Sequence, residues 1–406
     1  MKKCELLAPA GTFLKLKYAL HYGADAVYFG IPYFSLRGGE KGFSYDDLKK
    51  GVEYVHEKEK KAYITINIYP HNNDIEKLKE HLIYINTIKP DGLILSDPGV
   101  LELVKEISPN IDIILSTQAN VINWKSAKFW YDHGVKRIIL ARELSLNEIK
   151  FIRSKVPEIE LEVFIHGSMC ISYSGRCLLS SFLTGKSANM GECKQPCRWK
   201  YFLMEETRQG EFFPVFEDDH GSYILNSKDL CLIQYLPELI NAGINSFKIE
   251  GRFKSIYYLS IVTKVYRKAL DECFKNPDKF NYKPYLEELL TTSNRGFTTG
   301  FINGKRGDQD YIHGKPQQSY NFVGLVRNYD PENKVALVEV RNRISKGDNI
   351  EFITNNENFK QQLLELNTLE ENNLQSVHVG DFINIHTEYK IDDFTLIRKI
   401  GNKILE

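Results

Sequence analysis

The sequence has no apolar run approaching the roughly 18 residues that a membrane-spanning helix needs. It has no excess of either charge: 53 Lys+Arg face 53 Asp+Glu. That balance argues against bulk, charge-driven nucleic-acid binding, though not against a local basic groove. Its start, MKKCELLAPAGTF, has two lysines but only a short apolar run before Pro-Ala-Gly. It reads as a strand and turn, not a secretory signal, so the expected location is the cytoplasm, with no membrane contact. Several catalytic signatures are missing as well. Gly167-Ser168-Met169-Cys170 lacks the second glycine of a nucleophile elbow. There is no His-Glu-x-x-His zinc helix and no Cys-x3-Cys-x2-Cys radical motif. Apolar residues at 42 % and charged residues at 26 % describe an ordinary globular chain of two or three domains.

The first 255 residues alternate short apolar runs with amphipathic stretches. Strands are expected at Cys4–Pro9, Ala26–Ile31, Ala62–Tyr69, Gly92–Asp97, Asp112–Thr117, Arg137–Arg142, Leu161–His166 and Ser246–Gly251. Consecutive apolar residues mark parallel strands buried on both faces. Helical patterns lie between them, at Phe13–Tyr22, Tyr45–Lys60 and Asp74–Ile88. Eight such units, with no glycine-rich dinucleotide turn after the first strand, predict an α/β fold of the TIM (β/α)8 type in preference to a doubly wound sheet. The seventh connection, about 80 residues long, is an insertion over about 168–245 that should sit at the catalytic mouth. Residues 256–293 read as helical. SNRGFTTGFINGK reads as a linker or a loop returning to the mouth. From about Gln317, short strands separated by turns predict a small C-terminal antiparallel β-barrel. The domains are therefore 1–315 and 316–406. The second has 11 Lys+Arg against 14 Asp+Glu from Lys315 onward, so it has no basic footprint of its own.

Four of the seven cysteines cluster in the insertion, as Cys170-x6-Cys177-x15-Cys193-x3-Cys197, with Cys231 farther on. In a reducing compartment such a cluster reads as metal or redox chemistry. The spread spacing suits an iron–sulfur cluster better than zinc, whose ribbons use paired short knuckles. Unligated core thiols are the bland alternative. Five cysteines compete for four places, while Cys4 and Cys273 look structural.

Polar residues gather at the C-terminal ends of the strands: Asn67, Asp97, Ser116, Gln118, Asn120, Arg142, Glu143, Glu162, His166, Lys248, Glu250 and Arg252. Such groups are costly inside a barrel unless paired. His166, Glu162 and Glu250 are the candidate acid–base groups. Arg142, Arg252, Lys248, Ser116, Gln118 and Asn67 are the candidate substrate-binding groups. Lys248, Glu250 and Arg252 alternate at period two, which suits an anionic ligand or, equally, a structural salt-bridge ladder. Arg198-Trp199-Lys200-Tyr201-Phe202 interleaves base and aromatic residues, either for RNA or as a strand covering the metal site.

EVFIHGSMCISYSGRCLLSS closely resembles the signature of the collagenase-like peptidase family U32. GECKQPCRW, YILNSKDLC, KIEGR and NRGFTTGF resemble further blocks of it, in the same order, and LAPAG, STQAN and ARELSL also fit. The resemblance covers nearly the whole chain. It implies oxygen-independent hydroxylation chemistry, with a [4Fe-4S] cluster and zinc as the runner-up. A barrel followed by one small β-module is most similar to the tRNA-hydroxylating members. That implies 5-hydroxyuridine formation at the wobble position of tRNA, with prephenate, a small dicarboxylate, as hydroxyl source. It also implies Cys170, Cys177, Cys193 and Cys231 as metal ligands, with Cys197 the alternative. Arg142 and Arg252, helped by Lys248 and Ser116, are the expected carboxylate clamps. The C-terminal module is similar to the second domain of translation elongation factors. A metal-dependent peptidase and a non-catalytic RNA-binding or assembly protein are the rival readings.

Overall fold

The eight apolar runs form eight parallel strands. β1 (Glu5–Pro9), β2 (Ala26–Phe29), β3 (Lys61–Ile66), β4 (Gly92–Leu95), β5 (Asp112–Leu115), β6 (Arg137–Ile139) and β7 (Glu160–Ser168) pair in sequence order. β8 (Asp229–Cys231) leaves that order. β9 (Ser246–Ile249) pairs with both β7 and β1 and closes the barrel. The computed structural model describes residues 4–31, 33–35, 42–170, 172–199, 217–218, 221–222, 228–304, 320–368 and 374–400. Most observed strands stop one to three residues before the expected ends, where the chain splays into the mouth loops.

Local chemistry sets the helices between them. Ser44 caps α2 (Tyr45–Glu57) in a reciprocal box with Asp47, and Ser145 does the same for α6 (Leu146–Lys155) with Glu148. Asp97, at the end of β4, accepts from the N–H groups of Gly99 and Val100 at 2.8 and 3.1 Å and starts α4 (Pro98–Ile107). That strand-end carboxylate is therefore a helix cap. Leu6, Leu7, Ile64 and Leu93 of the barrel are fully buried, and each such side chain contributes about 1.5–3 kcal/mol. No helix among the described residues is long and apolar enough to cross a membrane.

β7 is the longest barrel strand. Its end rises above the barrel and pairs antiparallel with β8, Ser168 opposite Asp229 and His166 opposite Cys231. β10 (Phe297–Thr298) then adds parallel to β8, so the glycine-rich 293–304 segment does return to the mouth. Beyond it lies the C-terminal module, a seven-stranded antiparallel sheet with its own core around Val338, Phe352 and Ile397. The expected small antiparallel β-module is thus present. The module is anchored to the barrel domain. Tyr22 donates to the Ile353 carbonyl at 2.7 Å, and Arg398 reaches Glu288 at 2.8 Å and the Tyr257 hydroxyl at 3.1 Å.

Candidate active site

The site is built in layers above a sealed floor. Inside the barrel, Glu162 accepts from Lys248 Nζ at 3.0 Å and from Arg137 Nη1 at 3.2 Å. Arg137 also meets Glu5 at 2.6 Å and Glu160 at 2.8 Å. Glu162 is fully buried and Lys248 nearly so. Burial pushes the Lys248 ammonium down and the Glu162 carboxylate opposes the shift. Charges so deep are tolerated only when paired. Of the three alternating residues, Lys248 joins this buried ladder.

The next layer is polar. Asn67 Nδ2 donates to Ser116 Oγ at 3.3 Å, Ser116 bonds Gln118, and the Tyr69 hydroxyl donates to the Gln118 carbonyl at 2.8 Å. Three expected substrate-binding residues thus stand together at the ends of β3 and β5. Arg252 lies across the mouth and is buried. It donates to Ser35 Oγ at 2.5 Å, Thr65 Oγ1 at 3.2 Å and the Gly30 carbonyl at 3.4 Å, pinning the loop after β2.

Ser168 is the hub of the third layer, and three chain-distant charged side chains engage it. Its N–H donates to Glu250 Oε2 at 3.1 Å, its carbonyl accepts from Arg142 Nη1 at 2.5 Å, and its hydroxyl accepts from Arg295 Nη2 at 3.2 Å. Arg295 is paired with buried Asp229 at 2.8 Å, and Lys254 stands 4.0 Å from the same carboxylate. Arg142 is half-buried, with its guanidinium 4.0 Å above the Phe164 ring. Lys248 thus joins the ladder, Glu250 holds the Ser168 N–H and Arg252 holds the loop after β2. Sequence reasoning weighed Ser168 only as a nucleophile and missed Asp229 and Arg295. Their signal was a charged residue within each of the NSKDLC and NRGF blocks, but nothing local says that the two meet.

His166 turns away from this site. Lys248 is paired with Phe164 but Ile249 with His166, so β7 carries a bulge at Ile165. The bulge flips the next side chain to the outer face. There His166 is buried, with Nδ1 3.3 Å from the Tyr266 hydroxyl of α9 (Ile256–Lys275), and Tyr258 and Phe297 alongside. Burial pushes its pKa down to about 3. It is a neutral packing histidine.

The insertion crosses the mouth. The Ser174 N–H donates to Glu143 at 2.8 Å, and the Tyr69 N–H donates to the Asn189 carbonyl at 3.3 Å. Gly175 (φ +74) lies so close to Gln118 that a Cβ would meet its carbonyl oxygen at 2.2 Å. Only glycine satisfies both conditions. Cys170 and Cys177 flank this crossing and share a hydrogen bond. It holds Cys177 down to about 5, helped by Ser172 and by the N–H groups of Leu179 and Ser180 at the start of α7 (Leu179–Thr184). It raises Cys170, on which burial and the nearby Cys177 and Cys197 act in the same direction. A hydrogen-bonded thiol pair, with one sulfur held well below the ordinary thiol value, has the donor chemistry of a soft metal group. Cys193 is exposed on the same insertion, where the next residue's N–H donates to Ser180 Oγ at 3.2 Å. Among the described residues, no three His, Cys, Asp or Glu side chains stand close enough to grip a single metal ion.

Among the groups that act on Cys170 and Cys177, Cys231 does not feature. It lies opposite His166 under α9, with its sulfur 3.6 Å from the Tyr266 hydroxyl, and burial pushes it up to about 11. Cys4 and Cys273 are likewise buried, as expected of structural thiols. Of the basic–aromatic run, Trp199 is half exposed, while Lys200, Tyr201 and Phe202 lie outside the described residues.

Comparison with known proteins adds a family context. Residues 11–311 match peptidase family U32, and residues 318–398 match the peptidase family U32 C-terminal domain. The chain is 39 % identical over 403 residues to tRNA hydroxylation protein P1 of Bacillus subtilis, covering 98 % of this chain and 95 % of that one. It is 40 % identical to tRNA hydroxylation protein P of Escherichia coli, covering 90 % of each. It is 35 % identical to the Escherichia coli 23S rRNA 5-hydroxycytidine C2501 synthase, covering 80 % of this chain and 48 % of that one.

Proposed function

The chain belongs to peptidase family U32, and on that premise we propose that it is an RNA-modifying enzyme that hydroxylates tRNA. The product is 5-hydroxyuridine at the wobble position, formed without molecular oxygen and with prephenate as hydroxyl source. The observation that carries this reading is the hydrogen-bonded Cys170–Cys177 pair held over the barrel mouth. The names of the relatives point the same way.

The thiolates of Cys170, Cys177, Cys193 and Cys197 would hold a [4Fe-4S] cluster. All four are exposed or half-buried, whereas Cys231, farther along the same insertion, is buried beside Tyr266. Bound there, the cluster supplies redox chemistry, which a uridine C5–H, not acidic enough for a side-chain base, requires. The chain's own residues do the rest. Arg142, half-buried at the mouth, faces one carboxylate of the hydroxyl donor. Asn67, Ser116 and Gln118 orient polar groups beneath it, and the Glu5–Arg137–Glu162–Lys248 ladder closes the barrel against water from below. The hydrolytic reading carried by the family's name has less support, because His166, at about 3, takes no proton from a nucleophile at neutral pH.

Anaerobic purification followed by iron, sulfide and zinc analysis tests the assignment. About four irons and four sulfides per chain are expected, lost in Cys177→Ala and kept in Cys231→Ala. Stoichiometric zinc without sulfide contradicts it.

A further inference from the structure

Within the insertion, which over 168–245 has 7 Lys+Arg against 9 Asp+Glu, one stretch is cationic. Met169–Trp199 contains Arg176, Lys186, Lys194 and Arg198 against Glu192 alone, in a chain whose net charge is zero. The same stretch leaves large side chains in water: Tyr173 is 62 % exposed, Phe182 85 % and Trp199 46 %. Single exposed apolar residues need no explanation, but several aromatics within one cationic segment do. They are also held in place. α7, which carries Phe182, packs against the Pro196–Arg198 turn. Tyr173 adjoins Ser174, which is tied to Glu143, and precedes the Gly175 crossing.

We propose that this face of the insertion is a docking platform for an unpaired stretch of RNA, with Tyr173, Phe182 and Trp199 stacking on bases and Arg176 and Lys194 meeting phosphates. The proposal rests on the RNA-hydroxylation reading and names where that substrate binds. Charge selects the occupant. A protein partner suited to exposed aromatics does not require the local cationic excess, and a paired duplex hides the base faces that aromatics stack upon. Lys186 is paired with Glu192 at 3.5 Å and takes no part. The three aromatics interleave along the chain with Cys170, Cys177, Cys193 and Cys197, so the platform and the thiols share one segment. It also reconciles a neutral protein with a polyanionic substrate, because the positive charge is local.

The test uses the full chain and measures affinity for an unmodified tRNA transcript and for a fully paired RNA duplex, by fluorescence anisotropy at rising salt. The wild type is expected to prefer the transcript. Phe182→Ala and Tyr173→Ala should each weaken binding about fivefold or more and leave the salt slope unchanged. Arg176→Gln combined with Lys194→Gln should flatten the salt slope. Phe151→Ala, an exposed aromatic on α6, should change neither. Circular dichroism confirms that each variant is folded. Unchanged affinity in both aromatic variants, an equal loss in Phe151→Ala, equal binding of the duplex, or no binding by the wild type overturns the platform. Nucleoside analysis of tRNA from cells expressing each protein separates the two failures. Hydroxylation with unaltered affinities removes the platform alone, whereas no hydroxylation by the wild type removes the reading beneath it.

Discussion

The guanidinium of Arg295 donates to the carboxylate of Asp229 at 2.8 Å, and both residues are buried. Arg295 also holds the hydroxyl of Ser168, two residues before Cys170. The return segment after α10 (Lys283–Leu289) and strand β8 are thereby locked to the residue that launches the cysteine-bearing loop.

Breaking that pair from one side strands the other charge. Arg295→Met is expected to cost about 3–5 kcal/mol of unfolding free energy. The double variant with Asp229→Asn should cost less than the sum of the two single changes. Urea denaturation of the four proteins gives the coupling. Strict additivity would mean that the two side chains act independently.

Gly175→Ala strikes the crossing between insertion and barrel. The added Cβ collides with the Gln118 carbonyl, and the backbone there is left-handed. The crossing lies outside both hydrophobic cores, so the melting temperature should change little. The crossing itself should loosen. In metal-free protein, alkylation of Cys170 and Cys177 should accelerate several-fold over wild type, as read by mass spectrometry. An unchanged labelling rate would show that the loop is held by other contacts.

Glu162 separates a structural role from a catalytic one. Glu162→Gln leaves Lys248 and Arg137 short of one negative charge in the barrel interior. It should lower stability by about 3 kcal/mol, while activity per folded molecule stays near that of wild type. A large loss of turnover at full stability would return Glu162 to the catalytic group.

Acid should destabilise the fold through two buried histidines. Burial holds His81 down to about 4 and His166 down to about 3, against an ordinary value of 6.5. Below about 6.5 the unfolded chain takes up protons that the folded chain refuses, so stability falls as pH drops toward those folded values, by up to about 1.4 kcal/mol per pH unit for each group. Above 6.5 the term is fully relieved. Thermal melts from pH 7 to 4 should show a shallower decline in His166→Gln than in the wild type. Parallel declines would mean that His166 titrates normally.

The barrel was legible because Leu93, Ile94 and Leu95, or Ile113, Ile114 and Leu115, are buried on both sides of a parallel sheet, which writes a continuous apolar run into the sequence. The insertion was legible from its length. Side-chain direction was harder to read. His166 continues the alternation of Glu162 and Phe164, and only the bulge at Ile165 sends it outward. The family resemblance implies Cys231 as a ligand, and the fold sets its sulfur beside the Tyr266 hydroxyl, which a distant helix delivers. Asp97 is a polar residue at a strand end, yet it caps the next helix. Arg295 and Asp229 are far apart in sequence, and no periodicity relates them.

The central claim, that this chain hydroxylates tRNA through its insertion thiols, is tested most directly by mass-spectrometric nucleoside analysis. The tRNA comes from a host lacking its own wobble-uridine hydroxylases and carrying either the wild-type protein or Cys177→Ala. The account predicts 5-hydroxyuridine with the wild type and none with the variant at equal protein level. Its absence from both, or equal amounts in both, would contradict the account.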